Sequence, residues 1–478
     1  MSEPLRLFNS LTRSLESFEP IHPGEARVYS CGPTVYSDQH IGNMRAYLFA
    51  DVLGRTLSYR GHKLTHVINI TDVGHLVSDA DEGEDKMEVA ARGSGESAWD
   101  VAARHTARFL ADVERLNIRP PARWAVATDH IGEMISFAQA IEERCYRLVD
   151  GLYFDTTTVP DYGRLAGVRA DEPEGRIAAV KGKRRPEDFA IWRTFADDDR
   201  RQMEWDSPWG RGAPGWHLEC SAMSALYLGS PFDIHTGGID HREIHHPNEI
   251  AQNQARSDCA TTGANLWMHN NFLVSRDAKM SKSSGDILTL QRLVDRGIHP
   301  LAFRLMCLQA HYRGELDWSW EGALAALTRL KRLVISLDAL RALTREAALG
   351  GTLAEAARQH LSTFGATLCE DLNTPRALVV LEEMLADKRL PEPVRLGLAV
   401  TMDEVLGLGL TTLTRADLRL RPADATMSDA DVRAVLAQRQ GARAARDFKA
   451  ADEARGTLSE AGVDVMDGDP LGWDWRLT

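Results

Sequence analysis

Two apolar runs flank a helical stretch near the start of the chain, and their spacing fixes the kind of sheet it can build. Residues 27–31 (Arg27-Val28-Tyr29-Ser30-Cys31) and 64–70 (Leu64-Thr65-His66-Val67-Ile68-Asn69-Ile70) read as buried strands. Between them Met44, Leu48, Val52 and Leu57 recur along a helical stretch near 42–60. Strand, helix and strand at this spacing indicate a βαβ unit, whose two strands are parallel. The fold class expected is therefore α/β, on a parallel sheet.

At 478 residues the chain is too long for one core, and about two to four domains are expected. Residues 97–117 and 129–149 read as helices, broken by Pro120-Pro121. Short strands, turns and charges then follow, among them Asp161-Tyr162-Gly163 and Lys183-Arg184-Arg185, and mark an inserted subdomain drawn over 121–204. Sheet-like order returns near 231–236 and 266–274, so the sheet domain is split into 1–120 and 205–300. Text rich in Ala, Leu and Arg predicts a junction over 301–345 and a helical bundle over 346–420. The Thr-rich, Pro-containing stretch 411–428 reads as a linker, and a last module over 425–478 carries helices near 429–441 and 445–462.

Composition excludes several classes. The chain is 44% hydrophobic and 26% charged, with no apolar stretch long enough for a bilayer. Met1-Ser2-Glu3-Pro4-Leu5-Arg6 has neither part of a signal peptide. Six cysteines without paired spacing suit a reducing compartment, so a cytoplasmic protein is expected, with no membrane partner; a monomer is the expected state, though nothing in the sequence fixes it. Cys145, Cys259, Cys307 and Cys369 read as small buried hydrophobes. A net charge of −13 argues against binding nucleic acid through bulk charge, but leaves room for a shaped RNA gripped by local basic patches.

Three groups of residues carry chemistry. Cys31, Cys220, His245 and Glu249 offer two thiolates, an imidazole and a carboxylate, a donor set suited to Zn²⁺. No C-x-x-C or H-E-x-x-H pair supports them, and each taken singly reads as structural. His40-Ile41-Gly42-Asn43 follows a strand and opens a helix, where glycine and free N–H groups suit a nucleotide phosphate; the same four residues also make an ordinary strand-to-helix turn. Lys279-Met280-Ser281-Lys282-Ser283 places two lysines in a Ser/Gly-rich loop, where they can surround a triphosphate or remain solvated.

The last two words, in this order, resemble the paired signatures of class I aminoacyl-tRNA synthetases, with Asn43 where His is frequent. The surrounding text narrows the family. Tyr29-Ser30-Cys31-Gly32-Pro33-Thr34-Val35-Tyr36, Asn69-Ile70-Thr71-Asp72, Pro214-Gly215-Trp216-His217-Leu218-Glu219-Cys220, Gly237-Gly238-Ile239-Asp240, His245-His246-Pro247-Asn248-Glu249 and His311-Tyr312-Arg313 resemble cysteinyl-tRNA synthetase. Ala445-Arg446-Asp447-Phe448-Lys449-Ala450-Ala451-Asp452-Glu453-Ala454-Arg455 is similar to that family's anticodon-binding end.

The resemblance implies a Rossmann-like catalytic domain, the inserted subdomain, the bundle and a C-terminal anticodon-binding module. It places one zinc ion per chain on Cys31, Cys220, His245 and Glu249, and ATP contacts, with Mg²⁺, on His40, Gly42, Asn43, Lys279 and Lys282. Of these, His40, Asn43, Lys279 and Lys282 are the expected catalytic residues, and Thr71 and Trp216 shape the amino-acid pocket. Composition does not separate His245 from His246 as a ligand; the family match falls on His245. Pro247, in the first turn of a helix, would leave His245 before that helix and Glu249 within it. The implied partners are ATP, cysteine and tRNA(Cys). Zinc would separate thiol from hydroxyl, which shape alone does poorly, and the small insert is expected to hold no editing site.

Two alternatives stand beside this reading. One is an ATP-dependent cysteine ligase of the mycothiol type, which needs no anticodon reader. The other is a non-catalytic tRNA-binding relative, against which both signature words count. In the last module Arg433, Arg439, Arg443, Arg446, Lys449 and Arg455 can contact phosphates, while Trp473 and Trp475 pack or stack on a base.

Overall fold

The computed structural model describes residues 3–73, 85–167, 182–196, 201–275, 287–343, 351–466 and 468–477. At its centre five parallel strands, β1 (Glu25–Ser30), β2 (Lys63–Ile70), β3 (Arg123–Val126), β4 (Phe232–Gly238) and β5 (Ala264–Asn270), lie in the order β5-β4-β1-β2-β3. Helix α1 (Ile41–Tyr59) makes the β1-to-β2 crossover. Alternation along β1 divides its side chains between two cores. Ala26 and Val28 join Phe49, Leu53 and Leu57 of α1, whereas Tyr29 joins Leu218 and Met223 of α2 (Trp216–Leu228). Helix α3 (His245–Arg256) connects β4 to β5.

The strand order reverses between β1 and β4. Crossovers on the two sides of that point diverge and leave a crevice outside the carboxyl ends of the strands, where open α/β sheets bind ligands. In register, Ser30 of β1 pairs with Thr236 of β4, so Cys31 and Gly237 emerge side by side into it.

Boundaries differ from the expected ones in the middle of the chain. Arg123–Val126 pairs with β2, inside the 121–204 drawn as insert. Four residues after a double proline are too few to display a period. The 129–149 helix stops at Ala140, and Cys145–Leu148 turns back on Gly151–Phe154 as an antiparallel hairpin. Gly151, at φ +154, permits the turn, and its missing Cβ would meet the Trp192 carbonyl at 2.2 Å. Phe189–Thr194 and Gly212–Pro214 complete a four-stranded antiparallel sheet, so the insert runs past 204. Cys259 is exposed rather than buried; it sits at φ +65 in a surface turn.

The bundle helices Trp320–Leu343, Gly351–Cys369, Thr374–Ala386 and Glu392–Leu406 share one core with α1, joining Met44, Leu48 and Val52 to Leu330, Phe364, Leu381 and Val405. A charged knot lies within that contact. Asp51 of α1 accepts from Arg55 Nε at 2.7 Å and from Arg304 Nη2 at 2.6 Å, and the Arg119 backbone N–H donates to it at 3.0 Å. Arg304 also donates to the Leu406 and Leu116 carbonyls at 2.7 and 3.0 Å. Burial opposes the charge on Asp51, but Arg304 and Arg55 hold its carboxyl below the ordinary value.

The 411–428 stretch is packed rather than a free linker. Leu413 and Leu418 are buried, and Arg415 bonds Asp469 at 2.8 Å and Asp474 at 2.5 Å. The C-terminal module, helices Asp429–Ala444 and Phe448–Glu460 with a Val463–Val465 to Trp473–Trp475 strand pair, closes on Val432, Leu458, Trp473 and Trp475. Both tryptophans are core residues, and Arg433, Arg443, Arg446, Lys449 and Arg455 are exposed.

Replacing Asp51 by Ala strands two buried guanidinium groups, and should cost about 3–5 kcal/mol in urea unfolding. A loss under about 1 kcal/mol would show the knot to be dispensable. Because the folded pKa lies below the unfolded value of about 3.9, this stabilisation is present above that pH and drains away as pH falls through the folded value.

Candidate active site and metal cluster

Cys31 leaves β1 at the reversal point, its N–H bonded to the Thr236 carbonyl at 3.0 Å. Cys220 lies on α2, one turn beyond Trp216. His245 is the first residue of α3, and Glu249 follows at i+4 on the same face, with His245 Nε2 3.1 Å from Glu249 Oε1. His245 was expected to precede this helix; the structure starts α3 at His245 itself, two residues before Pro247, which still lies inside the first turn, where a missing N–H costs nothing. One ligand atom from each of Cys31, Cys220, His245 and Glu249 falls within 4.8 Å of the others, and all four residues are buried.

A second set, Cys31, His235, His246 and Glu249, meets the same criterion. His246 Nε2 is 3.3 Å from Cys31 Sγ, and its Nδ1 is 2.8 Å from His269 Nε2, whose Nδ1 is 2.8 Å from Ser10 Oγ. His235 Nε2 lies 2.9 Å from Glu249 Oε2. His217 Nδ1 lies 3.0 Å from His245 Nδ1, which leaves the Nε2 of His245 to the cluster. Gly237 makes room for this basin of imidazoles. A Cβ there would sit 2.7 Å from His241 Nδ1 and 2.8 Å from His246 Cε1.

Electrostatics identify what the cluster is fit to hold. The bond from Cys31 lowers the Cys220 thiol to about 6 against the effect of burial. Burial opposes ionisation of Glu249, yet His235 and His245 bring it to about 2. Burial likewise opposes charge on His245, but Glu249 and Cys220 raise it to about 10. Cys31 goes the other way, raised by burial and by Cys220. Cys220 and Glu249 therefore favour their anionic forms beside the His245 imidazole, at a buried point where isolated charge is expensive. Thiols, imidazole and carboxylate facing one centre fit a closed-shell divalent ion of zinc's softness.

Thr71 and Trp216 border the cluster. The Trp216 ring centroid is 4.3 Å from that of His245. Thr71 Oγ1 donates to Glu219 Oε2 at 2.6 Å and accepts from Asn69 Nδ2 at 3.1 Å. Burial raises the Glu219 carboxyl well above its ordinary value. The reading of the sequence passed over Glu219, His217, His235, His241 and His269. Glu219 is the one carboxylate in α2 (Trp216–Leu228), and that is its signal in the sequence; the histidines carry no periodic signal.

His40 caps α1 at φ −80 and ψ 159, and its Nδ1 accepts from the Asn43 backbone N–H at 3.2 Å. A neutral imidazole that accepts at Nδ1 carries its proton on Nε2, and burial lowers the His40 pKa and favours that neutral form. Gly42 is needed beneath this ring, since a Cβ there would lie 2.9 Å from His40 Nδ1. Asn43 Nδ2 donates to Gln39 Oε1 at 2.8 Å. Cys31 follows the end of β1 and His40 caps the helix that crosses over from it, so the helix cap and the cluster lie at the same carboxyl end of the sheet. Lys279 and Lys282 lie outside the described residues.

Known proteins agree with this architecture. Residues 17–328 match the family model of the tRNA synthetases class I (C) catalytic domain, and 428–476 match that of the cysteinyl-tRNA ligase anticodon binding domain. A cysteine–tRNA ligase of Novosphingobium aromaticivorans is 59% identical over 485 residues, spanning 100% of this chain and 98% of its own length. One of Zymomonas mobilis is 52% identical over 507 residues, with 99% and 98% covered. Among solved structures, a LeuRS–tRNA–LeuAMS complex of Agrobacterium radiobacter aligns with a TM-score of 0.57 at 12% identity, over 94% of this chain and 95% of that one, a likeness of fold. The chain belongs to the cysteine–tRNA ligase family of class I tRNA synthetases.

Proposed function

We propose that the chain activates cysteine with ATP and transfers it to the 3′-terminal adenosine of tRNA(Cys). One observation carries this reading beyond family membership. Cys31, Cys220, His245 and Glu249 converge beside Trp216, in the crevice that also receives the capped end of α1. Cysteine's carboxylate oxygen attacks the α-phosphorus of Mg-ATP, and the bond to pyrophosphate breaks. A ribose hydroxyl of the tRNA end then attacks the adenylate carbonyl, and AMP departs. The substrate brings its own nucleophile, so this chain's part is placement and charge.

The Nε2–H of His40 donates to ATP phosphates, the positive dipole end of α1 favours their charge, and Gly42 and Asn43 shape that end. Lys279 and Lys282 add positive charge as the transferred group spreads its own. Thr71, fixed by Glu219 and Asn69, and Trp216 bound the side-chain pocket. Zn²⁺, one per chain, would be held by Cys31, Cys220, His245 and Glu249, and when bound supplies a soft Lewis acid that accepts a thiolate and takes a serine hydroxyl poorly. His245 is preferred over His246 because its set contains both thiols. The exposed basic residues of the C-terminal module serve the tRNA.

Two measurements test this. Cys220→Ala should lose its zinc by elemental analysis, and cysteine-dependent tRNA charging should fall roughly tenfold to a hundredfold with loss of preference over serine. Charging that keeps both rate and preference in this variant would sink the metal reading. His245→Ala should be zinc-poor, while His246→Ala keeps close to the wild-type content; the reverse pattern would assign the ion to the second set.

A further inference from the structure

We propose that Arg45 is a positioning residue for the nucleotide, a guanidinium that fixes the ATP-facing end of α1 against the backbone that follows β5. The inference rests on the proposed ATP chemistry and goes beyond it by naming what holds His40 and Asn43 in place.

Arg45 follows His40 by five positions on α1 and is 3% exposed. Its Nη1 donates to the Asn271 carbonyl at 2.7 Å and to the Phe272 carbonyl, and its Nη2 to the Gly314 carbonyl at 2.6 Å and the His311 carbonyl at 3.4 Å. All four acceptors are backbone carbonyls. The two segments they belong to are joined to each other. Leu273–Val274 pairs in parallel with Leu316–Asp317, Leu316 N–H donates to the Phe272 carbonyl at 3.0 Å, and Asn271 N–H donates to the Tyr312 carbonyl at 2.8 Å. The far side of the turn is anchored as well. Tyr312 Oη and Arg313 Nε each donate to Asp371 at 2.6 Å, and Asp371 sits at φ +57 beside Leu372 at φ +56. One side chain therefore sets the register between α1 and a strand pair that the bundle holds from behind.

The choice of partners has a chemical logic. A buried guanidinium is ordinarily matched with a carboxylate, as Arg304 is with Asp51. Beside the opening of α1 a carboxylate would repel a polyphosphate. Carbonyl dipoles satisfy the N–H donors and add no net negative charge. The first turn of α1 likewise contains no acidic residue, although acids there usually stabilise a helix. Losing the tether should therefore tilt the cap relative to the strand pair and leave the metal cluster alone, since none of Arg45's partners is a cluster residue.

The test compares wild type with Arg45→Lys and Arg45→Met, using the full chain. Arg45→Lys keeps the charge and loses the fork that reaches both segments. Titration calorimetry with Mg-ATP should show binding weakened at least about fivefold, and kcat/KM for ATP in cysteine-dependent pyrophosphate exchange should fall roughly tenfold to a hundredfold. KM for cysteine and zinc content should stay at wild-type values, with Arg45→Met more affected than Arg45→Lys. Unchanged ATP affinity in a folded Arg45→Lys protein would overturn the proposal. So would an activity loss that matches a lower active fraction with KM for ATP unaltered, because that is a purely structural role. A wild-type protein that binds ATP but performs no cysteine-dependent exchange would refute the proposed function, while the affinity comparison still decides the role of Arg45.

Discussion

Everything in the crevice follows from a constraint on parallel strands. A parallel neighbour can be reached only by crossing over the sheet. The chain crosses from β1 to β2 and β3 on one side, then returns to the other side of β1 for β4 and β5. At the reversal the strand ends stand next to each other, and the residues that leave them enter the crevice. Cys31 and Gly237 fall there by register. α2 and α3 bring Cys220, His245 and Glu249 to the same place, and α1 brings its open end. No local motif could gather these groups. Their sequence separation is the consequence of building the site from both halves of a split sheet.

That origin explains what could be read from the sequence. The βαβ unit was legible because β1, α1 and β2 each display their own period over several residues. The four candidate ligands were suggested by donor chemistry and located by resemblance, and α3 places His245 and Glu249 more regularly than Pro247 suggested. β3 and the insert hairpin were not legible: four-residue strands such as Arg123–Val126 and Cys145–Leu148 show too little alternation to be told from helix ends. The 411–428 stretch misled for another reason. Its Thr and Pro content masks Arg415, whose two carboxylate partners lie more than fifty positions away. The imidazoles behind the cluster were invisible because a buried histidine looks the same in sequence whether it ligates, orients a ligand or only packs.

Under the proposed reading, those imidazoles matter for selectivity. A bare four-residue site would leave Glu249 and Cys31 free to rotate. His235 fixes one oxygen of Glu249, and the chain Ser10, His269, His246 ends on Cys31. Partners of this kind orient metal ligands and tune their basicity. Discrimination between sulfur and oxygen then depends on an ion held at one place, with Trp216 and Thr71 limiting what can approach it. Rejecting serine at binding removes the need for a second, hydrolytic site, and that leaves the insert free of catalytic demands.

The two buried arginine systems on α1 show how the same helix serves both halves of the chemistry. Around Asp51, in the middle of the helix, Arg55 and Arg304 join α1 to the bundle through opposite charge. Nothing charged needs to bind there, so a carboxylate is the natural counter-ion. Around Arg45, near the helix opening where the proposed function puts the ATP phosphates, the partners are carbonyls. Under the proposed ATP chemistry, the difference is what electrostatics requires of a helix whose far half is structural and whose near half is to face phosphate. The two systems also tie α1 to the bundle twice, directly through Arg304 on Asp51 and indirectly through Arg45 on the turn that Asp371 anchors.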